Sequence, residues 1–260
     1  MSGSLLNDLD AATSVASTDP LYTVQSTVDK KATAALVVLG GATGDGAGSL
    51  ALGSKAVALD LSTIAFGVAA NASGNTSVAI GAGAYTSAAT ATAMGKGAGG
   101  YGQSSTAIGA SSLAVGSSSV AVGSLARANN DDAVALGNTA NAFADGATAL
   151  GSLSRASALT ALAVGYEALA TATNSTAVGH QANASAAGAV VVGNNAKASA
   201  AGAVALGPNA IASIANTVAL QWLSKGDLVF CNSTGMLERL PIGSTASVLT
   251  VVGGVPAWVP

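Results

Sequence analysis

Few residues in this chain are of a type that does chemistry. The single histidine, His180, follows a glycine, at a place where the chain turns outward to solvent. Acid–base catalysis could instead use two carboxylates held close together. Asp131, Asp132 and Asp145 fall on successive corners and are the candidates, with solvated turns as the simpler reading. Gly97, Gly99 and Gly102 spell GxGxxG, but a dinucleotide site needs a strand before and a helix after that run. Here the spacing comes from a repeat. Cys231 lies in an apolar run with no histidine nearby and reads as core, and Trp258 reads as core or interface. The aromatics available for stacking a sugar are Tyr85, Tyr101, Phe143 and Tyr166. No spacing suits a metal. The expectation is a non-enzymatic chain, with no catalytic, cofactor-binding or metal residues, no cofactor, and no receptor-binding residue that can be assigned.

The elements that position these residues come from a 14-residue repeat over 50–221. Phrases such as SLALG, SVAIG and STAVG recur without insertion, closed by Gly53, Gly67, Gly81, Gly95, Gly109, Gly123, Gly137, Gly151, Gly165, Gly179, Gly193 and Gly207. A last phrase ends on Gln221 in the same register. A fixed short period means a solenoid. Within a phrase, large, small, large is a strand alternation, and the glycine supplies the coil turn. This reading makes the large residues the coil core: Leu52, Ile64, Phe66, Val78, Ile80, Met94, Ile108, Val120, Val122, Leu136, Leu150, Val164, Val178, Val192, Leu206 and Leu220. Three and five residues after the glycine the chain is mostly alanine, as at Ala56 and Ala58, which reads as a second strand with a small inner face. A second corner follows, marked by Gly74, Gly102, Asn130, Gly146, Gly188 or Gly202. Each coil is therefore strand, turn, strand, turn.

The charges of the array, among them Lys55, Asp60, Lys96, Arg127, Arg155, Glu167 and Lys197, avoid all three phrase positions and both alanine positions. That is expected where a buried unpaired charge costs several kcal/mol. A coil so poor in large side chains buries little by itself, so packing of identical columns is expected, with the alanine face allowing close approach. The fold class is all-β, a parallel β-roll. Aromatics at 3% and charges at 8% are unlike an ordinary globular core, yet no run of about 18 apolar residues suggests a membrane span. The acidic start MSGSLLNDLD is unlike a signal peptide, so the chain is expected to stay in the cytoplasm where it is made. A net charge of −3 without a basic cluster gives no footprint for nucleic acid. A lone cysteine excludes an internal disulfide framework.

The SVAIG and STAIG phrases at this period resemble the head of trimeric autotransporter adhesins, the YadA-like head, over residues 50–221. That resemblance implies a left-handed roll and a homotrimer. The sequence departs from it in showing no signal peptide, heptad stalk or C-terminal anchor. Outside the period, residues 1–39 read as short strands and turns, with a turn at Asp19-Pro20 and a strand at 21–24. This stretch resembles the N-terminal segment of bacteriophage tail fibres through Asp8, Leu9, Ala11, Ala12, Thr13, Thr18, Asp19, Val24, Gln25, Lys30, Lys31, Ala32 and Thr33, which implies attachment to a virion. Val37-Val38-Leu39-Gly40 reads as an opening coil one residue out of phase, followed by a junction loop at 40–48. Residues 222–260 begin with Trp222 as a cap over the last coil and carry four strands, at 227–231, 236–240, 248–252 and 257–259, with a hairpin turn at NSTG. The run GDL, LERLPIG, VLTV, GVPAW resembles a C-terminal module of phage tail-fibre proteins.

Three domains follow: 1–39 for virion attachment, 40–221 as the shaft, and 222–260 as a small β module. The implied function is a homotrimeric virion fibre that acts as rigid shaft and host-surface adhesion element. Its partners are itself, other virion proteins through the N-terminal segment, and a host receptor or polysaccharide, with no nucleic acid and no membrane insertion. The competing readings are a bacterial surface adhesin passenger and a capsid or neck decoration fibre without receptor binding. An ice-binding ladder would need an unbroken threonine file, and Val, Leu and Ile interrupt Thr92, Thr106, Thr148 and Thr176.

Overall fold

The computed structural model describes residues 37–39, 43–44, 46–232 and 234–260; the N-terminal readings for residues 1–36 lie outside them. Among the described residues the chain is all-β, a parallel β-solenoid of about 13 coils. None of its described segments is a helix long and apolar enough to cross a membrane. Each coil has a three-residue strand over the phrase, such as Leu50–Leu52, and a two-residue strand after the corner, such as Val57–Ala58. β-Branched and aliphatic phrase residues favour the first strand.

Two compact units divide at Phe143 and Ala144. In the first, phrase strands run parallel from Val37–Leu39 to Val134–Leu136, and second strands from Thr43–Gly44 to Asn141–Ala142. Leu50 pairs with Ile64 one full period on, whereas Val37 pairs with Leu50 one residue short of it, so the opening coil does slip in phase. The stretch expected as a junction loop is partly strand, because Thr43–Gly44 pairs with Val57–Ala58. In the second unit, phrase strands run from Thr148–Leu150 to Val218–Leu220 and second strands from Arg155–Ala156 to Ile211–Ala212.

Two left-handed backbone steps close the first corner. The closing glycine takes a φ that L-residues rarely adopt, +132° at Gly123 for instance, and the residue two further on sits near +60°, as Leu125 does. The corners also bond from coil to coil: Gly67 N donates to Leu52 O at 2.8 Å and Ala69 N to Ser54 O at 2.9 Å.

The interior overturns one expectation. Leu52, Ile64, Phe66, Val78, Ile80, Met94, Ile108, Val120, Val122, Leu136, Leu150, Val164, Val178, Val192, Leu206 and Leu220 are not the coil core; every one of them is half-buried or exposed. The buried residue of each phrase is the small one between them, Ala51, Ala65, Ala79, Ala93 and so on. Alternation along a strand sends the middle residue to the face opposite its neighbours. The second-strand alanines, such as Ala56 and Ala58, point to the same interior and are fully covered, so they offer no face to a neighbouring column. The two sheets thus meet through methyl groups. Val191, the one larger residue at the phrase centre, is also 0% exposed.

A fourth buried file precedes every phrase but the last and holds Ala, Ser or Thr. Its hydroxyls are satisfied by the turn just before them: Ser119 Oγ donates to Gly116 O at 2.6 Å and Thr63 Oγ1 to Asp60 O at 2.9 Å. Ser77 Oγ instead accepts from Thr86 Oγ1 at 2.8 Å, and Ser49 and Ser105 are buried with no partner for Oγ.

The C-terminal segment forms two antiparallel hairpins, Leu228–Cys231 with Leu237–Leu240 and Val248–Val252 with Val255–Val259. The expected strands are all present, and the last begins earlier than the sequence suggests. The residues of the GDL and LERLPIG phrases lock together. Asp227 accepts from Ser224 N at 2.6 Å, Arg239 Nε at 2.5 Å and Ile242 N at 3.0 Å, and its side chain is only 1% exposed. Gly226 leaves room for Ile242, and Gly243 for the Trp258 indole, since a Cβ at either would strike those side chains. Two readings change here. Cys231 is exposed, not core. Trp222 is 39% exposed and does not seal the last coil, whose Thr217 is exposed and Ala219 only half-buried.

Candidate functional site

Two surfaces stand out, one on each side of the coil. The first is the outer face of the phrase sheet. Because the phrase alanine fills the interior, both flanking residues are turned outward in every coil. Phe66 is 47% exposed, Val192 44% and Ile108 39%. Thr92, Thr106, Thr148 and Thr176 share that outer face, contrary to an interior placement. No charged residue enters either flanking file from Leu50 to Leu220, although the chain itself leaves these positions open to water.

The second surface lies beyond the first corner in the second unit. Tyr166 and His180 directly follow successive closing glycines, and their rings stack with centroids 5.4 Å apart and planes 13° apart. His180 Nδ1 meets Asn194 Nδ2 in the following coil at 3.2 Å; the amide nitrogen donates, so Nδ1 accepts. One residue further on, Gln181 Nε2 donates to Glu167 Oε2 at 2.7 Å. That bond, with help from the Tyr166 hydroxyl, holds the Glu167 carboxyl below its usual range. The same carboxylate raises the Tyr166 phenol. Beside this ladder is a cavity of about 360 Å3 lined by Leu153, Glu167, Leu169, Gln181, Asn183, Asn195 and Lys197.

The residues singled out for chemistry are placed as follows. His180 is on an outward corner, in the ladder just described. Asp131 Oδ1 accepts from Ser117 N of the preceding coil at 2.8 Å, and Asp132 takes a left-handed turn conformation. Gly97 and Gly102 fall in the two corners and Gly99 in a second strand. Tyr101 crosses Gly99 to reach Tyr85, with centroids 5.5 Å apart. Among the described residues, no group of three or more His, Cys, Asp or Glu could hold a metal ion. Sequence reading missed the outward aliphatic files and the cavity. Reading the positions two and four after each glycine as files would have found the cavity.

A 14-residue parallel coil with an alanine interior and glycine corners defines a class of repeat β-solenoid. The family model YadA head domain repeat (2 copies) matches residues 45–70, 61–84, 72–98, 101–126, 128–154, 156–182, 170–196 and 198–220. The chain belongs to the YadA head repeat family, and its array is an adhesin-like fibre element. No curated protein matches it.

Proposed function

We propose that the chain is a homotrimeric, non-enzymatic fibre of a bacteriophage virion, acting as shaft and host-surface adhesion element. The carrying observation is the charge-free aliphatic face of the phrase sheet. Open in the single chain, it has the composition of a covered surface, and an identical column offers the same 14-residue spacing of apolar files. Exposed apolar surface on this scale marks an interaction site, and homotrimers are the usual assembly of YadA-like repeats. The family match supports a bacterial surface adhesin equally well. The virion assignment rests on the end segments, where the C-terminal phrases GDL and LERLPIG are linked through Asp227, Arg239 and Ile242.

Two measurements test it. Light scattering gives the absolute mass, expected near three chains of 24.4 kDa and retained after mild heating. A monomer overturns the assembly. Antibody labelling is expected to find the protein on virions; label confined to the bacterial surface overturns the virion assignment in favour of the adhesin.

A further inference from the structure

We infer that the cavity beside the Tyr166–His180 ladder is a saccharide subsite that takes a neutral sugar unit of a surface polysaccharide. It deepens the adhesion reading above and rests on it for the origin of the sugar, not for the existence of the groove.

The groove is a local departure from the repeat. The backbone recurs in every coil, yet only in the coils of Gly179 and Gly193 do polar side chains fill both outer files of two adjoining coils, with Glu167 and Leu169 of the preceding coil beside them. The file two after the glycine holds Glu167, Gln181 and Asn195; the file four after holds Leu169, Asn183 and Lys197. In the first unit the same files carry Ala69 with Asn71, Gly83 with Tyr85 and Ser111 with Leu113, and a polar pair, Thr139 with Asn141, stands alone between coils that lack one. Solenoids bind ligands by varying such surface files on a constant frame.

The lining chemistry selects the ligand. Glu167 only accepts hydrogen bonds, Lys197 only donates, and the three amides do both. Vicinal hydroxyls, each donor and acceptor, match that set. One carboxylate and one ammonium cancel, so the groove has no net charge with which to select an ion. Leu153 and Leu169 supply apolar surface for the C–H face of a pyranose. Gln181 Nε2, at 2.7 Å, orients the Glu167 carboxylate before any ligand arrives. A volume of about 360 Å3 falls within the roughly 300–1,000 Å3 of small-ligand pockets. The groove is lined from the second-strand side, away from the aliphatic phrase face, so trimer formation and sugar binding use different residues.

The test uses the full chain and the methyl glycosides of glucose, galactose, mannose and N-acetylglucosamine, with saturation-transfer NMR at millimolar ligand. Transfer to the ring C–H protons of at least one glycoside is expected. Lys197→Ala and Glu167→Gln should each raise the Kd obtained by titrating that transfer with ligand about tenfold, a loss of about 1.4 kcal/mol. Arg127→Ala, in the same file as Lys197 but outside the groove, should leave it unchanged. No transfer to any glycoside, or equal transfer from wild type and from both groove variants, overturns the subsite. The mass measurement is independent. A three-chain mass without sugar transfer removes the groove alone, and a one-chain mass with transfer removes the trimer and upholds the groove.

Discussion

Gly123 and Gly137 stack so closely that a Cβ on Gly123 would lie 2.4 Å from the Gly137 carbonyl oxygen. The glycine is therefore fixed twice, by its φ of +132° and by the backbone of the next coil. Leu125, two residues on, is also left-handed, but its side chain is exposed.

These two positions respond oppositely to substitution. Gly123→Ala should cost on the order of 3 kcal/mol and lower the thermal midpoint followed by circular dichroism. Leu125→Gly should be neutral or stabilising by up to about 1 kcal/mol, since relief of left-handed strain offsets the entropy of glycine. Gly207→Ala should be milder than Gly123→Ala, because its nearest neighbour is the Gln221 side chain at 3.0 Å rather than backbone.

Adjacent phrase residues should fail in different ways. Ala107 is 0% exposed and its neighbour Ile108 faces out. Ala107→Glu buries an unpaired charge at a cost of several kcal/mol and should leave no soluble β-rich protein. Ile108→Glu should preserve the far-ultraviolet spectrum and reduce the mass measured by light scattering. An unchanged mass would count against the phrase sheet as the interface.

Two buried serines separate hydrogen bonding from burial. Ser119→Ala removes the bond to Gly116 O and should cost about 1 kcal/mol. Ser105→Ala removes a hydroxyl without a partner and should stabilise by about 1 kcal/mol. Denaturant midpoints of the two variants give both signs.

Acid should loosen the C-terminal hairpins. Burial opposes ionisation of Asp227, but the Ser224 amide, the Arg239 guanidinium and the Ile242 amide outweigh it, and the pKa is depressed below its ordinary 3.8. A depressed carboxyl contributes stability that is fully present above the unfolded value and is lost as pH falls through the folded one. Tryptophan fluorescence, which includes Trp258, should change below pH 3.8. In Arg239→Ala the change should begin at higher pH; an identical profile would show that the pair does not hold the hairpin.

The sequence by itself determined the period, the glycine corners, both strands of each coil, the slipped opening coil, the four C-terminal strands and the first of their two hairpins. These follow from local spacing: a glycine in a left-handed step and a three-residue alternation fix the backbone wherever they recur. The alternation in SVAIG distinguishes two faces without saying which is inside. Hydrophobic size suggested Val78 and Ile80, and the structure chose Ala79. The reason is distance: corners this tight bring the two sheets so close that little more than a methyl group fits between them, and the larger residues must look outward. Only the tertiary structure could decide that, and with it the aliphatic face open to a second chain. The same stacking placed Glu167 against Gln181 and Tyr166 against His180, pairs one period apart that a linear reading keeps separate.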